Sequence, residues 1–185
     1  MSLIAMQGGA TGTGTVTLLA PVTNTNQTLT LPDATGTVLT TATAGVPVNG
    51  PAFSAYQSSA QAALTSTTWT KIVFQTEEFD TASAFDSTTN YRFTPQVAGY
   101  YQFSGCITVG SSVTTVATAF YKNGSVFKYG NQVNSNGALI QGSALIYLNG
   151  STDYVEFYAL FVTSQSPVAN AASTYFQAAM VRSAV

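Results

Sequence analysis

Histidine is absent from the 185-residue sequence, and charged residues make up only 6% of it. Without histidine the chain lacks the commonest general base and zinc ligand, and it cannot form a Ser-His or Cys-His nucleophile pair. A carboxylate pair for glycoside hydrolysis is also disfavoured, because few acids are present and the adjacent Glu77 and Glu78 would point to opposite faces of a strand. We therefore predict that the protein is not an enzyme.

Cysteine and basic residues are scarce as well. Cys106 is the single cysteine, so the chain has neither an intrachain disulfide nor a multi-thiolate metal cluster, and its place in a strand predicts a small buried filler. The five basic residues are scattered and the net charge is −2, which offers no footprint for a phosphate backbone. We expect no nucleic-acid partner.

Targeting signals are also missing. No Lys or Arg precedes Lys71, and residues 1–6 are too short for the apolar core of a signal peptide or a membrane span. The surface must be supplied by Ser, Thr, Asn, Gln and Gly, a composition more typical of particles that work outside cells. A virion protein, synthesised in the host cytoplasm and released by lysis, fits both observations, so we predict a virion location without membrane insertion.

What is present begins with a Thr/Gly-rich segment, residues 1–50, in which Asp33 is the single charge. Its alternating Val and Leu residues predict short strands, but they are too few to offset the ordering entropy of the segment. It is either a flexible linker or an intertwined β stalk formed by several copies, and the alternation favours the stalk. We predict an N-terminal attachment arm at residues 1–50, which joins other virion proteins, and a head at residues 51–185.

The head shows strand periodicity and no sustained helical period. From Gly99 to Val109, apolar and polar residues alternate, and the Asn123-Gly124 and Asn149-Gly150 pairs predict tight turns between strands. A last strand spans residues 174–182. These patterns predict an all-β sandwich.

The central strand carries apolar or small residues on both faces, which predicts that both faces are covered. If Tyr101 and Phe103 face the interior, the alternate residues face a second surface. We predict a homotrimer whose threefold axis is lined by two strands, with Tyr100, Gln102, Ser104, Cys106, Tyr175, Gln177 and Ala179 as the contact residues.

A polar stretch between residues 75 and 90 contains four carboxylates that could hold calcium, namely Glu77, Glu78, Asp80 and Asp86. They lack the regular Asp/Asn spacing and central Gly of a calcium loop. Simple solvation is the favoured interpretation, and we expect no cofactor.

The segment FTPQVAGYYQF at residues 93–103 resembles the signature of the complement component 1q globular head, a relative of the tumour necrosis factor jelly roll. PAFSA (51–55), AFYKNG (119–124), LIYLNGSTDYVEF (145–157) and TYFQAAMV (174–181) resemble further segments of that family. Ser151 and Thr152 lengthen one turn, and Ala178 replaces the usual Gly. Over residues 51–182 the resemblance implies a ten-strand jelly roll, a homotrimer, and recognition of protein or glycan partners without catalysis. Residues 14–41 resemble Thr-rich segments of bacteriophage tail and head fibres.

The connections between strands alternate between tight and open. In the resembled jelly roll the tight end is the base, near both termini, which places the open connections 130–137 and 163–173 at the far tip. Loops on a rigid scaffold often carry recognition sites, and amide side chains suit sugar hydroxyls or neutral protein surfaces. The predicted receptor-binding residues are Asn131, Gln132, Asn134, Asn136, Gln165 and Asn170.

Two functional classes stay open at this point. One is a bacteriophage fibre or appendage head that binds a host-surface protein or glycan. The other is a structural capsid decoration or fibre cap that binds no receptor. A secreted lectin-like domain is a third alternative, which the missing signal peptide disfavours.

Overall fold

The computed structural model describes residues 50–110, 114–134 and 137–184, and its regular elements are all β-strands. Within these ranges no helix is long and apolar enough to cross a membrane. The strands are β1 (Ala52–Tyr56), β2 (Thr70–Lys71), β3 (Thr76–Asp80), β4 (Phe85–Asp86), β5 (Arg92–Phe93), β6 (Gly99–Thr108), β7 (Val116–Lys122), β8 (Ser125–Val133), β9 (Leu139–Leu148), β10 (Val155–Phe161) and β11 (Tyr175–Ser183).

The strands form two antiparallel sheets. The five-stranded sheet has the order β3-β1-β11-β6-β9, and the six-stranded sheet has the path β4-β5-β10-β7-β8 with β2 paired to β10. The first and last strands of the head are therefore neighbours, and several successive strands alternate between sheets. This confirms the predicted jelly-roll sandwich, with ten strands on the two main paths and β2 as a short addition.

The core lies between the sheets and is built largely of phenylalanine. On β6 the side chains of Tyr101, Phe103 and Ile107 are fully buried, as the alternation predicts. Phe176 of β11 occupies the centre, with its ring centroid 5.7 Å from those of Phe103 and Phe157 in stacked geometry. Such stacked and edge-on aromatic pairs stabilise the core beyond the area that they bury.

The tight connections meet at one end of the sandwich. Asn123 Nδ2 donates to Asp153 Oδ1 at 2.8 Å, and a side chain at Gly150 would overlap the backbone of Ala98. The first and last described residues lie at the same end, because Ala184 N donates to Ala98 O at 2.9 Å and Gly50 packs against the Met180 side chain. We call this the turn end.

The opposite end carries the longer connections. Gly137 N donates to Gly110 O at 3.2 Å, and Val168 N donates to Thr108 O at 2.9 Å. The segregation of tight and open connections therefore agrees with the sequence interpretation for the described residues. We call this the open end.

The prediction that residues 130–137 form one loop is wrong for its first half. Asn131 and Gln132 lie in β8, where Gln132 pairs with Ala117 across a bulge. Gly130 is not a turn residue, since a side chain there would overlap Thr118 Oγ1 and lie 3.0 Å from the Gly142 Cα. The glycine is needed because the two sheets approach closely at this point.

Two other predictions fall outside the described residues. Of the proposed arm, residues 1–50, the structure describes only Gly50. Asn136 also lies outside the described residues.

Candidate functional site

The predicted axis residues lie together on the outward face of the five-stranded sheet. In the β6–β11 ladder, Gln102 is opposite Ala179, Ser104 is opposite Gln177, and Cys106 is opposite Tyr175. Tyr100 begins the same row, opposite Arg182. The structure therefore places all seven predicted residues on two neighbouring strands.

The central part of this face is polar and its hydrogen bonds run between strands. Gln177 Nε2 donates to Ser104 Oγ at 3.0 Å, and Gln102 Nε2 donates to Ser143 Oγ at 2.8 Å. Cys106 is only 1% exposed, in agreement with its predicted role as a filler, and burial raises the pKa of its thiol. Its neighbours in the same chain cover it, so Cys106 offers little surface to a second copy.

Sequence analysis missed the contribution of β9 to this face. Tyr147 pairs with Tyr100 and Leu145 pairs with Gln102, and the three apolar side chains Leu139, Leu145 and Tyr147 are all exposed. The signal was available, because LIQGSALIYL carries apolar residues at both strand parities. The reasoning applied to β6 would have identified β9 as a second strand with two covered faces.

Near the turn end, exposed apolar side chains line a groove of about 710 Å³. The ring centroids of Tyr100 and Tyr147 are 5.4 Å apart, and Leu145 and Val181 flank them. The Lys122 ammonium lies 5.7 Å from the Tyr147 centroid and 5.9 Å from that of Phe127 on β8. We call the surface formed by Tyr100, Leu145, Tyr147, Val181 and Phe127 the apolar band; it runs from the sheet face round to the β8 edge.

The cation at the centre of the band is already neutralised. Lys122 Nζ is 2.8 Å from Asp153 Oδ2 and donates to Tyr147 O at 2.8 Å. Burial alone would raise the pKa of Asp153, but hydrogen bonds from Lys122, the Asn123 side chain and the Asn149 amide outweigh it and lower the pKa. The carboxylate is therefore ionised at neutral pH and compensates the charge of Lys122, while Arg182 supplies a second cation that lines the groove beside the apolar side chains.

The predicted receptor-binding residues are not one cluster. Asn134 follows β8 directly and is exposed, whereas Gln132 lies beside Trp69 and Tyr129 on the six-stranded sheet. The side chain of Asn170 accepts from Ala172 N at 2.8 Å, and its carbonyl accepts from Thr174 N, so this residue shapes a turn. Gln165 O accepts from Leu64 N. Among the described residues no hydrogen bond joins Gln132 to Gln165 or Asn170.

The four carboxylates considered for calcium do not converge. Asp80 accepts from the amides of Ala82 and Phe85, and Glu78 accepts from Ser54 Oγ at 2.7 Å. Glu77 is exposed. In the described part of the chain, no group of three or more acidic or cysteine side chains could hold a metal ion.

Asp86 instead organises the turn that follows β4. Its carboxylate accepts from the amides of Thr88, Thr89 and Asn90 and from the Asn90 side chain. The hydrogen bond from the Thr89 amide is the main reason that the pKa of Asp86 lies well below its usual range. This carboxylate has a structural role.

No protein-family model and no curated protein matches the sequence. Solved structures do match. The crystal structure of murine APRIL at pH 8.0 is similar with a TM-score of 0.58 and 7% identity, over 72% of this chain and 100% of that one. The globular domain of zebrafish complement 1qA protein gives 0.55 and 16%, over 74% and 100% of the two chains.

The head has the jelly roll of the tumour necrosis factor and complement component 1q proteins. Eiger TNF from S. frugiperda has the same fold, with a TM-score of 0.54 and 10% identity over 74% of this chain and 96% of that one. The resemblance predicted from FTPQVAGYYQF is therefore confirmed for the fold. Identities this low concern the fold alone, so the function has to be argued from this chain's own surfaces.

Proposed function

We propose that the protein is a non-enzymatic, homotrimeric head of a bacteriophage fibre or appendage, which recognises a protein or glycan on the host surface. The trimer is argued from the apolar band. Leu145 is 54% exposed and Val181 50%, and Tyr100 and Tyr147 are each 42% exposed. A chain with 6% charged residues has few means of keeping such a patch soluble, so a second copy is the occupant that best explains it.

The position of the band supports a closed ring of three. Tyr100 and Val181 lie on a sheet face, whereas Phe127 lies on the edge strand β8, so the band offers two different surfaces. Contact of one chain's face with the next chain's edge is heterologous, and such contacts form rings when the rotation closes. The polar row of Gln102, Ser104 and Gln177 would then continue towards the threefold axis.

The virion role is supported by composition and by the geometry of the chain ends. Gly50 and Ala184 both lie at the turn end, so an arm at residues 1–50 would leave from that end and join other virion proteins. The open end and the sides of the sandwich would then point away from the particle. Recognition surfaces are expected there.

Light scattering on the full chain tests the assembly. We expect a mass near three times the 19.3 kDa of one chain at micromolar concentration, and a stable monomer would contradict the trimer. Deleting residues 1–45 should leave the head folded and trimeric while abolishing incorporation into particles. Normal incorporation of the truncated protein would show that the arm is not the anchor.

A structural cap without receptor binding is the second candidate, since the apolar band alone would support assembly and the predicted loop residues do not converge. An adsorption assay separates the two. Purified, labelled trimer should bind host cells and compete with intact virions if the head is a receptor-binding protein. Absence of both effects would favour the cap.

A further inference from the structure

The outward face of the six-stranded sheet carries an aromatic groove that shares no residue with the apolar band. Trp69 immediately precedes β2, and its ring centroid is 5.7 Å from that of Tyr129 on β8 and 6.5 Å from that of Tyr121 on β7. Tyr121 in turn stacks on Tyr158 of β10 at 3.8 Å. Beside these rings is a cavity of about 390 Å³, lined by Trp69, Ala117, Thr118, Tyr129, Gly130, Gln132 and Leu160. We call this cavity the aromatic groove.

The groove exists because small residues form its floor. Ala117 lies opposite Leu160 in the β7–β10 ladder and opposite Gln132 in the β7–β8 ladder, so a methyl group is flanked by longer side chains on both sides. Gly130, which lacks a side chain, continues the floor towards β8. The strands that form this floor are hydrogen-bonded to one another, so the cavity keeps its shape without a ligand. Pre-formed cavities of about this size are typical of small-ligand sites.

Three polar side chains around the groove have hydrogen-bonding groups that no other described residue satisfies, while the Thr118 hydroxyl donates to Asn131 O. They are the Trp69 indole N–H, the Tyr129 hydroxyl and the side-chain amide of Gln132, none of which has a hydrogen-bond partner among the described residues. Tyr129 is 67% exposed, so its ring presents an open face instead of packing into the sandwich. These groups supply donors and acceptors next to exposed aromatic rings.

The groove is also electrically neutral, since all seven lining residues are uncharged. Of the cations on this sheet, Lys71 Nζ lies 3.0 Å from Glu156 Oε1 and Lys122 Nζ lies 2.8 Å from Asp153 Oδ2, whereas Lys128, next to Tyr129 on β8, contacts the Phe127 ring at 5.7 Å. None of the lining residues therefore offers a cation that would replace the hydration of an anionic ligand.

We propose that the aromatic groove binds a neutral saccharide. A pyranose ring has an apolar C–H face, which packs on the electron-rich face of an aromatic ring, and a rim of hydroxyl groups that both donate and accept. Trp69 and Tyr129 provide the rings, and the Gln132 amide provides a donor and an acceptor at the margin. A purely apolar ligand would leave these polar groups unpaired, which favours the sugar. This inference deepens the proposed binding function and rests on it.

Trp69 is the only tryptophan in the chain, so its fluorescence reports on the groove directly. The full-length protein is titrated with a panel of neutral oligosaccharides of glucose, galactose, mannose and N-acetylhexosamines, with sialylated and sulfated sugars alongside. We expect a saturable change in emission, and heat in calorimetry, for at least one neutral sugar. Absence of both signals, or binding of acidic sugars alone, would overturn the proposal.

Variants then locate the binding site by calorimetry. Trp69→Ala and Gln132→Ala should each weaken binding by about tenfold or more, a loss of the size expected for one good contact. Phe79→Ala is the matched control, because it removes an exposed aromatic ring on the other sheet and should bind like the wild type. Melting temperatures confirm that each variant is folded. Unchanged affinity in both groove variants would overturn the assignment.

Host-cell adsorption separates this proposal from the general binding function. If wild type and Trp69→Ala adsorb equally well, the head binds the host through another surface. That result would contradict the groove as the recognition site and leave the general binding function in place. Sugar binding that is lost in Trp69→Ala, with no adsorption by the wild type, would support the saccharide site and contradict host recognition.

Discussion

At the scale of single residues, the glycines show where sequence reasoning succeeds and where it fails. Gly150, with φ +71°, lies in a turn as Asn-Gly predicts. Gly130 and Gly105 lie within strands, where another part of the chain approaches too closely for a side chain. Local sequence cannot tell a glycine in a turn from a glycine in a closely packed strand when both have polar neighbours. The residue that would collide with a side chain at the strand glycine is distant in the chain. This is why the sequence predicts a loop at residues 130–133, which the structure places in β8.

Gly105→Ala should destabilise the head. Its Cβ would lie 2.7 Å from ring atoms of Phe157, so the opposite sheet would have to shift. Overpacking of this kind costs about 1–3 kcal/mol of unfolding free energy. Thermal and urea unfolding measure the loss, with Gly110→Ala as control, because among the described residues its Cβ would meet only the flexible end of the Gln165 side chain at 3.3 Å. Equal stability of the two variants would contradict the packing argument.

Asp86 should make stability depend on pH in the acid range. Its folded-state pKa is lowered below the unfolded value of about 3.9, so its stabilisation is complete above that value and is lost as the pH falls towards the folded-state pKa. We expect Asp86→Asn to be less stable than wild type at neutral pH and to lose less stability between about pH 5 and about pH 2. Urea unfolding across this range measures the difference, with the exposed Glu77→Gln as control. Parallel pH curves for wild type and Asp86→Asn would contradict it.

At the scale of elements, β6 and the two Asn-Gly turns could be predicted because their signals are local. Strict alternation defines the buried side of β6, and Asn tolerates the left-handed backbone that a tight turn requires. The strands β3 and β4 could not be predicted, since the polar stretch 75–90 reads as an irregular surface connection, and its strands depend on pairing with β1 and β5.

Substitutions at Asn123 separate two contributions to the stability of the turn end: the hydrogen bonds of its side chain and the ability of its backbone to adopt a positive φ. Asn123 has φ +54°, its side chain donates to Asp153 Oδ1, and its Oδ1 accepts from Tyr154 N at 3.0 Å. Asn123→Gly keeps the backbone freedom and removes both bonds, so we expect a loss of about 1–2 kcal/mol. Asn123→Ala adds backbone strain and should lose more. Chemical denaturation of both variants measures the order, and a wild-type-like Asn123→Gly would show that the hydrogen bonds contribute little.

At the scale of the whole molecule, the proposed trimer makes two substitutions informative. Ser104→Lys would place three like charges near the proposed axis, and Leu145→Lys would put a charge in the apolar band. Both should convert the trimer to monomers at micromolar concentration while the isolated fold persists. Light scattering and circular dichroism measure these two properties. Phe79→Lys, on a distant strand, is the control, and a trimeric Leu145→Lys variant would exclude the band as the interface.

The candidate surfaces were partly accessible from the sequence. Side chains alternate between the two faces of a strand, so the row of axis residues on β6 and β11 could be predicted once these two strands were assumed to pair. The aromatic groove was not accessible, because Trp69 before β2, Tyr129 on β8 and Leu160 on β10 come together only through the complete topology. Gln132 was selected for its amide chemistry, yet its neighbours became visible only in the folded sheet.

The placement of Gly50 and Ala184 at the turn end has a mechanical consequence. If the head serves as proposed, a particle tethered through Gly50 and held by a ligand nearer the open end would pull the sandwich along its strands. The ladder hydrogen bonds between β1 and β11 lie across that direction, so they would share the tension and fail together instead of one at a time. Resistance to forced unfolding depends on the unfolding rate, and this shearing geometry would keep the head intact while an attached particle is dragged by flow.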